Sequence, residues 1–577
     1  MATRGSTTPR ARAPRPQGQK PQGQWALGDT TPLNAAEEVK QAGNGLDVRE
    51  RIERVYALDG FDSIAADDLK ERFKWWGLYT QRRQDQPAEA TQTADAADLA
   101  DRYFMLRIRS DGGQLTLPQA RAIASVSTDF GRDLADVTDR QNIQLHWIRI
   151  EDMPEIWRRL EAVGLSTAMA CGDVPRGFLG CPLAGRAADE VIDATSVLEA
   201  VAARAVGNRE FANLPRKYKT SIAGCSQRCA QPDLNDVSFV GVPGPDGAPV
   251  FDVWVGGGLG SSPHFAQRLG VGVPSDEVPD VWEAITLLFR DHGYRRNRKR
   301  ARLKFLVADW GADRVRETLE REYLRRPLTP LQVAPVAPNL ASDHVGITPQ
   351  RDGRAAIGLA PRVGRLTGTQ LGLLADLAER HGGGGVHLTT QQKVVLVDVD
   401  AAAADGIADA LERHDLRARP SAFRRGAMAC TGLEFCKLAL AETKQMALRV
   451  TRDLEERLPE WDEPLRIHVN GCPNSCARFQ VADIGLMGAL VPHADGSRGP
   501  GFLVHLGGHV EGHRAFAAKV RGVRVPADDV VDYLEALLRR YLASRTDGQT
   551  FTTFIAALDA DELAAFAAVP ALAAAPA

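Results

Sequence analysis

The sequence predicts a mixed α/β (α+β) fold in which one structural unit occurs twice. GGQLTLPQARAIASVSTDFG, starting at Gly112, resembles VGRLTGTQLGLLADLAERHG, starting at Val363. Each copy carries a Thr followed three residues later by Gln, and the two threonines, Thr116 and Thr367, are 251 residues apart. Of the 577 residues, 44 % are hydrophobic and 25 % are charged, which excludes disorder over the whole chain.

Each copy is predicted to begin with a helix that leads into a strand. Thr116–Gln119 and Thr367–Gln370 are capping-box pairs, in which the Thr hydroxyl and the Gln side chain bond free amides at a helix start. A strand should follow within TDRQNIQLHWIRI from Thr138 and within LTTQQKVVLVDV from Leu388. The alternation of apolar residues in IQLHW favours a half-buried strand.

The repeat continues downstream in the same order, which indicates two halves of roughly 250 residues. A shared ligand is expected where such halves meet. The further matches are Ala223 AGCSQRCAQPDLNDVSFVG with Asn470 NGCPNSCARFQVADIGLMG, Phe251 FDVWVGGGLG with Phe502 FLVHLGGHVE, and Val273 VPSDEVPDVWEAITLLFRD with Val525 VPADDVVDYLEALLRRYL.

Charge and hydropathy exclude several classes of protein. A net charge of −3 argues against a dedicated nucleic-acid binder. No apolar stretch is long enough to span a membrane, and the N-terminus lacks the apolar core of a secretory signal. We therefore expect a cytoplasmic protein whose first 35 residues, rich in Pro, Gly, Gln and Arg, form a disordered tail.

The cysteines are clustered, which in a large chain without an export signal favours metal ligands over disulfides. The second half has Cys-x5-Cys followed by Cys-x3-Cys, and the first half has Cys-x9-Cys followed by Cys-x3-Cys. Such pairs of thiolates can hold zinc or an iron–sulfur cluster. The eight cysteines are Cys171, Cys181, Cys225, Cys229, Cys430, Cys436, Cys472 and Cys476.

The context of the second set, AMACTGLEFCKLALAETK followed by IHVNGCPNSCARFQVADIGLMG, resembles the siroheme and 4Fe–4S signature of the nitrite/sulfite reductase family. The resemblance covers nearly the whole chain from about residue 45. It implies that Cys430, Cys436, Cys472 and Cys476 are cluster ligands, and that Cys476 also ligates the siroheme iron. A structural zinc knuckle or an altered cofactor remains the alternative.

The resemblance also implies the domain organisation, with the duplication as the family's architecture. The expected segments are the tail 1–35, an N-terminal helical segment 36–105, a first ferredoxin-like half-domain 106–165, a first α/β domain 166–345 with substrate cations and siroheme contacts, a second ferredoxin-like half-domain 346–415, and a second α/β domain 416–577 with the cluster and siroheme ligands.

The first-half cysteines are interpreted as a decayed copy of the cluster site. Cys225 and Cys229 match the position of the second-half Cys-x3-Cys, but their partners have nine intervening residues instead of five. Structural thiols are the favoured interpretation and a second metal site is the alternative.

Four cations match the family's anion-binding motifs: YFMLRIR gives Arg107, CGDVPRG gives Arg176, and LPRKYKT gives Lys217 and Lys219. Arg can bind two oxygens at once, whereas Lys can also release a proton. Arg216 should point away from the two lysines by strand alternation. The resemblance implies that Lys at position 219, where nitrite reductases of the family tend to have Asn, favours sulfite.

Further siroheme contacts are expected from positions that the resemblance or the local charge singles out. The stretch Tyr294–Phe305 has seven basic residues in twelve; as a helix it could hold siroheme carboxylates, dock an acidic ferredoxin, or be a solvated face. The expected contacts are Arg140, Gln141, Asn142, Gly257, Gly258, Arg298, Arg302, Lys304 and Asn470.

A covalent link is expected between Tyr79, in WWGLYTQRR, and Cys171, in MACGDVPR. Some family members carry a Tyr–Cys thioether at matching motifs. A phenol and a thiol near a redox haem can couple oxidatively. The alternative is a core Tyr beside a free thiol.

Taken together, the resemblance implies an assimilatory sulfite reductase that reduces sulfite to sulfide with six electrons from ferredoxin. Siroheme and a 4Fe–4S cluster are the expected cofactors, and a monomer is the expected state. The alternatives are a ferredoxin–nitrite reductase, a tetrapyrrole-biosynthesis relative, which would lack the full set of four cations, and a non-catalytic, zinc-organised binding protein.

Overall fold

The computed structural model describes residues 34–569, except 96, 226, 333–342, 494 and 511–513. Nearly all of the predicted tail, 1–35, lies outside the described residues. Four five-stranded sheets form the framework, and helices cover them. None of the described helices combines the length and the apolar character that crossing a membrane requires.

Two sheets correspond to the predicted half-domains, and each is completed by a short strand from the other half. In sheet order the first is β1 (Leu78–Arg82), β2 (Ala100–Ile108), β5 (Ile143–Ile148), β4 (Ala135–Val137) and β13 (Arg365–Leu366). The second is β11 (Gly346–Pro349), β12 (Ala355–Leu359), β15 (Val394–Val399), β14 (Gly385–Leu388) and β3 (Gln114–Leu115).

The exchange of β3 and β13 joins the two halves through backbone hydrogen bonds. Arg365 of β13 pairs with Asp136 of β4, and Leu115 of β3 pairs with Val386 of β14. The segment 36–105, predicted as helical, also supplies β1 and most of β2, which extend the first sheet.

The two larger sheets share a parallel pair followed by antiparallel strands, and the second sheet has one more parallel strand, β16, at its edge. The first is β6 (Thr220–Ala223), β7 (Val237–Pro243), β8 (Pro249–Val255), β9 (Gln267–Val273) and β10 (Thr329–Pro330). The second is β16 (Ala427–Ala429), β17 (Ile467–Asn470), β18 (Ile484–Pro492), β19 (Arg498–Leu506) and β20 (Ala518–Pro526).

The helices follow the predicted repeat, most clearly in α6 and α11 and in α9 and α15. They are α1 (Ala35–Ala42), α2 (Val48–Arg51), α3 (Ala57–Asp59), α4 (Ala66–Lys70), α5 (Ala90–Thr93), α6 (Leu117–Phe130), α7 (Met153–Glu161), α8 (Thr195–Ala205), α9 (Val278–His292), α10 (Leu303–Thr318), α11 (Gly368–Arg380), α12 (Ala404–Glu412), α13 (Ala422–Gly426), α14 (Lys444–Arg457), α15 (Val530–Ser544), α16 (Phe551–Ala556) and α17 (Ala560–Ala567).

The capping boxes confirm the sequence prediction at the start of α6 and α11. Thr116 and Thr367 each accept the amide of the Gln three residues later, and that Gln side chain bonds back. The two helices pack against each other, and both contribute to one hydrophobic core shared by the half-domains.

The duplication extends to backbone conformation in the cysteine loops. In the first half Arg228 and Gln231 have φ of 48° and 58°, and in the second half Ser475 and Arg478 have φ of 58° and 55°. Positive φ is uncommon for residues other than Gly. The matching pairs therefore indicate that both Cys-x3-Cys loops fold in one way.

A buried carboxylate lies at the junction of the halves. The Nε of Arg365 donates to Oδ1 of Asp136 (2.9 Å), and the Nζ of Lys444 lies 3.7 Å from the same oxygen. Burial alone would raise the pKa of Asp136, but the charges of Lys444 and Arg365 hold it well below its usual value. The Nη2 of Arg365 also donates to Glu434 (2.9 Å), between Cys430 and Cys436.

Asp136→Asn should lower the free energy of unfolding by about 3 kcal/mol, because two buried cations lose their carboxylate. Thermal unfolding of the full chain measures the loss. Asp376→Asn is the matched control, because its ion pair with Arg121 also joins α6 and α11 but is exposed; its unfolding midpoint should hardly move. Equal shifts for both variants would contradict a special role for the buried carboxylate.

Candidate active site

The four second-half cysteines lie where two neighbouring strands end. β16 and β17 are parallel, so their carboxyl ends meet at one edge of the sheet. Cys430 follows β16, and its amide donates to the carbonyl of Val469 (3.1 Å). Cys436 follows on the next turn, and Cys472 and Cys476 lie in the loop after β17. The fold thus brings the four candidate cluster ligands to one place.

Burial and the neighbouring thiols raise the pKa values of three of these cysteines. Burial, followed by the neighbouring Cys476, raises the pKa of Cys430 to about 12. Burial is also the first cause that raises the pKa of Cys436 and of Cys472, and Cys476 again adds to it. Only a cation would let all four ionise together. The amide of Gly471 donates to the Sγ of Cys430 (3.3 Å), a bond that favours the thiolate.

The spacing of the quartet disfavours the zinc alternative. Among the described residues, the only three Cys, His or carboxylate ligand atoms that all lie within 4.8 Å of one another belong to Cys181, Cys225 and Cys229. Zn–S bonds of about 2.3 Å at tetrahedral angles hold sulfurs roughly 4 Å apart. The wider second-half set fits a cluster whose ligands bind different metal atoms.

The Sγ of Cys476 shares a space with two of the candidate cations. Cys476 is exposed, whereas Cys472 is only 9 % exposed. The thiol of Cys476 acts electrostatically on both Arg107 and Lys217. The cysteine proposed to bridge two cofactors is therefore the one that lies near the region between Arg107, Arg176, Lys217 and Lys219, called the cation-lined space below.

Arg107 is positioned by strand pairing. It lies on β2 directly opposite Gln144 of β5. Its Nη2 donates to Oε1 of Gln144 (2.7 Å), and its Nη1 donates to the Sγ of Cys171 (2.5 Å). Gln144 also donates to Thr431 (3.4 Å), the residue after Cys430. No motif in the sequence singles out Gln144, because its role depends on the register between β2 and β5.

Lys217 and Lys219 lie beside Arg176 because their segments pair. Pro175 bridges Tyr218, and the amide of Arg176 donates to the Tyr218 carbonyl (2.8 Å). Burial, then the charges of nearby arginines, lowers the pKa of Lys217 to about 7, and burial lowers that of Lys219 well below its usual value. Among the described residues neither ammonium group has a hydrogen-bond partner. Unpartnered, half-buried cations of this kind are suited to bind an anion.

Arg216 points elsewhere, as expected. Its Nη1 lies 3.3 Å from Asp173, a buried carboxylate that Arg298 and Lys40 also contact. Burial would raise the pKa of Asp173, but the charges of Lys40, Arg298 and Arg216 hold it well below its usual value. Asp173 therefore neutralises neighbouring cations, but it makes no ion pair with Lys217 or Lys219.

Two expected siroheme contacts carry buried donors without a partner. Arg140 donates to Asn235 (2.8 Å) and to the Gly177 carbonyl (2.7 Å), but its Nε is buried and unpaired. Asn470 accepts from the amide of Ala477 (2.9 Å), while its Nδ2 is buried and unpaired. Buried donors normally find acceptors, so both fit a ligand rich in carboxylates.

Gln141 and Asn142 have partners within the protein. The Nε2 of Gln141 donates to the carbonyls of Gly180 (3.0 Å) and Leu388 (2.8 Å), and Oδ1 of Asn142 accepts the amide of Ser110 (3.1 Å). The Gln141 side chain holds loops together across the two halves, whereas that of Asn142 acts within the first half. Their contact with siroheme stays a prediction.

The basic stretch Tyr294–Phe305 is not one helix, contrary to the sequence interpretation. It forms a 3₁₀ turn at Arg298–Arg300, and α10 begins only at Leu303. A run of seven basic residues in one helix would repel itself. The separate segments instead let each cation reach its own partner.

Those partners lie within the protein. Arg298 bonds Asp173 (2.7 Å), and Arg302 bonds Asp236 (2.7 Å). Lys304 donates to the Gly258 carbonyl (3.1 Å). Their expected siroheme contacts stay predictions, since these charges are already compensated.

The turn GGGLG requires its glycines for close packing. Gly258 has φ of 156°, and a Cβ there would lie 2.5 Å from the guanidinium of Arg302. A Cβ on Gly257 would lie 2.5 Å from the Asp233 carbonyl. The turn is therefore held against α10 and the β6–β7 connection.

Tyr79 and Cys171 meet at the wall of the cation-lined space. Tyr79 lies on β1 and hydrogen bonds with Cys171, which is fully buried. Burial raises the pKa of Tyr79, and the charge of Cys171 raises it further, while Arg176 and Arg107 oppose the shift. The two groups of the expected thioether are thus in contact.

The four first-half cysteines divide into two groups. Cys171 contacts Arg107 and Tyr79, whereas Cys181, Cys225 and Cys229 cluster separately. The nine residues between Cys171 and Cys181 separate the two groups. Sequence spacing alone gave no signal of this division.

Comparison with known proteins agrees with this geometry. A model of the nitrite and sulphite reductase 4Fe-4S domain matches residues 171–328 and 421–565. A model of the nitrite/sulfite reductase ferredoxin-like half domain matches residues 98–163 and 348–414. These matches confirm the fold expected from the resemblance.

Relatives cover almost the full chain. Sulfite reductase (ferredoxin) 1 of Mycolicibacterium paratuberculosis is 49 % identical over 93 % of this chain and 97 % of its own length. The assimilatory ferredoxin-dependent nitrite reductase of Haloferax mediterranei is 36 % identical over 90 % of this chain and 91 % of its own. The NirA protein of Mycobacterium tuberculosis has a solved structure that matches with a TM-score of 0.90 and 47 % identity, covering 94 % of this chain and 100 % of that one. The chain therefore belongs to the nitrite and sulfite reductase family.

Proposed function

We propose that this chain is a ferredoxin-dependent sulfite reductase that converts sulfite to sulfide. The observation that carries the proposal is the pair of unpartnered ammonium groups, Lys217 and Lys219, in the space that Cys476 faces. The relatives named as ferredoxin sulfite reductases support it at 48–49 % identity.

The residues present fit siroheme and a 4Fe–4S cluster. Cys430, Cys436, Cys472 and Cys476 would hold the cluster, and Cys476 would also hold the siroheme iron. The unpaired donors of Arg140 and Asn470 suit siroheme carboxylates. When bound, the two cofactors supply electrons singly to the substrate.

The protein's own contribution is to bind the anion and deliver protons. The guanidinium groups of Arg107 and Arg176 can each bind two sulfite oxygens without losing a proton. Lys217, with a pKa lowered to about 7 by burial and by neighbouring arginines, can donate a proton near neutral pH. Reduction of hydrogen sulfite to hydrogen sulfide ion takes up six electrons and six protons and releases three waters, so proton supply matters throughout.

Sulfite is favoured over nitrite by the number of cations. Sulfite carries up to two negative charges on three oxygens, whereas nitrite carries one on two. Two lysines and two arginines exceed what nitrite needs. Ferredoxin–nitrite reductase stays the second candidate, because relatives of that name match at 36–37 % identity.

Ferredoxin is the proposed electron donor, because the names of the sulfite reductase relatives specify it. We also propose that the protein acts as a monomer. Steady-state rates with reduced ferredoxin and each anion test the proposal. A larger kcat/KM for nitrite than for sulfite would overturn it.

Lys219→Asn should shift relative activity from sulfite toward nitrite. A buried charge-assisted contact is worth about 1.5–3 kcal/mol, so kcat/KM for sulfite should fall roughly 10- to 100-fold. Nitrite, with less charge to balance, should lose less. Lys519→Asn, an exposed position on β20, is the control and should change neither value. Equal losses for both anions would remove the main argument for sulfite.

Cys476→Ser should abolish activity and disturb the visible absorption of both cofactors, because this sulfur is proposed to bind both. Cys229→Ser, at the matching position of the first half, should leave both absorption signatures intact. Visible absorption spectra of the purified variants at equal protein concentration test this prediction. Similar spectra for the two variants would show that the cofactor-binding cysteines have been assigned to the wrong half of the chain.

If Tyr79 and Cys171 are joined, denatured protein should be about two mass units lighter than the reduced sequence mass, because forming a thioether removes two hydrogens. Reductant should not restore the mass, since a carbon–sulfur bond does not undergo thiol exchange. Tyr79→Phe should prevent the link and leave Cys171 open to alkylation. Free, alkylatable Cys171 in fully active wild-type protein would contradict the link.

A further inference from the structure

We infer that the first half holds a zinc ion bound by the thiolates of Cys181, Cys225 and Cys229, with His344 turning toward them to become the fourth ligand. The three Sγ atoms all lie within 4.8 Å of one another. Each cysteine is only 1 % exposed. The site is separate from the cation-lined space and does not depend on which anion is reduced.

The spacing indicates a single tetrahedral ion. Two Zn–S bonds of about 2.3 Å place their sulfurs roughly 4 Å apart, within the observed limit. An iron–sulfur cluster needs wider spacing, because its ligands bind different iron atoms. The two halves have therefore diverged at equivalent loops, one toward a cluster and one toward a mononuclear ion.

The three sulfurs are too close to one another to be thiolates without a cation between them. Three negative charges within 4.8 Å of one another in a buried site would repel strongly. A divalent cation at the centre removes that repulsion and allows all three to ionise.

Two buried groups next to the thiols have atoms without a hydrogen-bond partner. They are Nε2 of His344 and Oε1 of Glu190, and both residues interact electrostatically with Cys225. The Glu190 side chain is only 2 % exposed. Buried polar atoms normally have partners, so their coincidence beside three thiols points to an ion.

Charge selects His344 over Glu190 as the fourth ligand. Three thiolates already exceed the charge of Zn²⁺ by one, and a carboxylate would leave two uncompensated charges in a buried site. A neutral imidazole adds no further negative charge and is the form that binds metals. No ring nitrogen of His344 lies within 4.8 Å of all three sulfurs, so this side chain turns toward them when the ion binds. Three Cys and one His is an ordinary structural zinc set.

The position of the site gives it a structural task. The three cysteines pack with Ala356 of β12 and with Val395 and Val397 of β15, across the junction of the halves. The hydroxyl of Thr390 donates to the Cys229 carbonyl (2.7 Å) at the same junction. A zinc ion here would fix the first α/β domain to the second small sheet.

Elemental analysis of the full-length holoenzyme tests the site. Wild-type protein should contain one zinc per chain in addition to the cofactor iron. Cys225→Ser should lose the zinc while iron content and visible absorption stay unchanged. His344→Ala should weaken zinc retention at least tenfold against a competing chelator, whereas Glu190→Gln, the matched control, should retain zinc as the wild type does.

X-ray absorption at the zinc edge of wild-type protein needs no variant and should show three sulfur neighbours and one nitrogen. No zinc after growth in zinc-supplemented medium would overturn the inference. So would full zinc retention in Cys225→Ser, or extra iron in place of zinc. A zinc ion surrounded by oxygen and nitrogen atoms, without sulfur, would likewise overturn it.

Discussion

The buried carboxylate of Asp136 is the interaction on which the rest of the structure depends. It bonds Arg365 of the exchanged strand β13 and lies near Lys444 at the start of α14. Arg365 in turn bonds Glu434, inside the loop that carries Cys430 and Cys436. The first small sheet, the strand exchanged from the second half and the candidate cluster loop are thus held by one charge network. Breaking such a network leaves buried cations uncompensated.

The cations around the candidate active site are of two kinds: those paired with a buried carboxylate and those without one. Asp173 and Asp236 neutralise Arg216, Arg298 and Arg302. Lys217 and Lys219 receive no such partner among the described residues. Compensation of the surrounding charge therefore leaves a small, defined excess of positive charge where the substrate is proposed to bind. The fold can keep that excess only because its neighbours are paired.

Local signals in the sequence predicted much of the fold and part of the site. The capping boxes at Thr116 and Thr367 and the alternation in β5 depend on neighbouring residues alone. The exchange of two-residue strands depends on residues some 250 positions apart and leaves no periodic signal. The prediction that Tyr294–Phe305 forms one helix was wrong for a related reason. The partners of its cations, Asp173 and Asp236, are distant in sequence. Gln144 likewise acquires its role only from strand register.

The exchanged edge strands also have a consequence for synthesis on the ribosome. β4 pairs with β5 from within the first half, but its other edge is covered only by Arg365–Leu366. Until those residues emerge, the nascent first half presents an open strand edge, a template for pairing with other chains. Translation of more than 200 further residues, at about 5–20 residues per second, leaves that edge open for tens of seconds. The time for which this edge can pair with other chains is thus set by the order in which the two halves leave the ribosome.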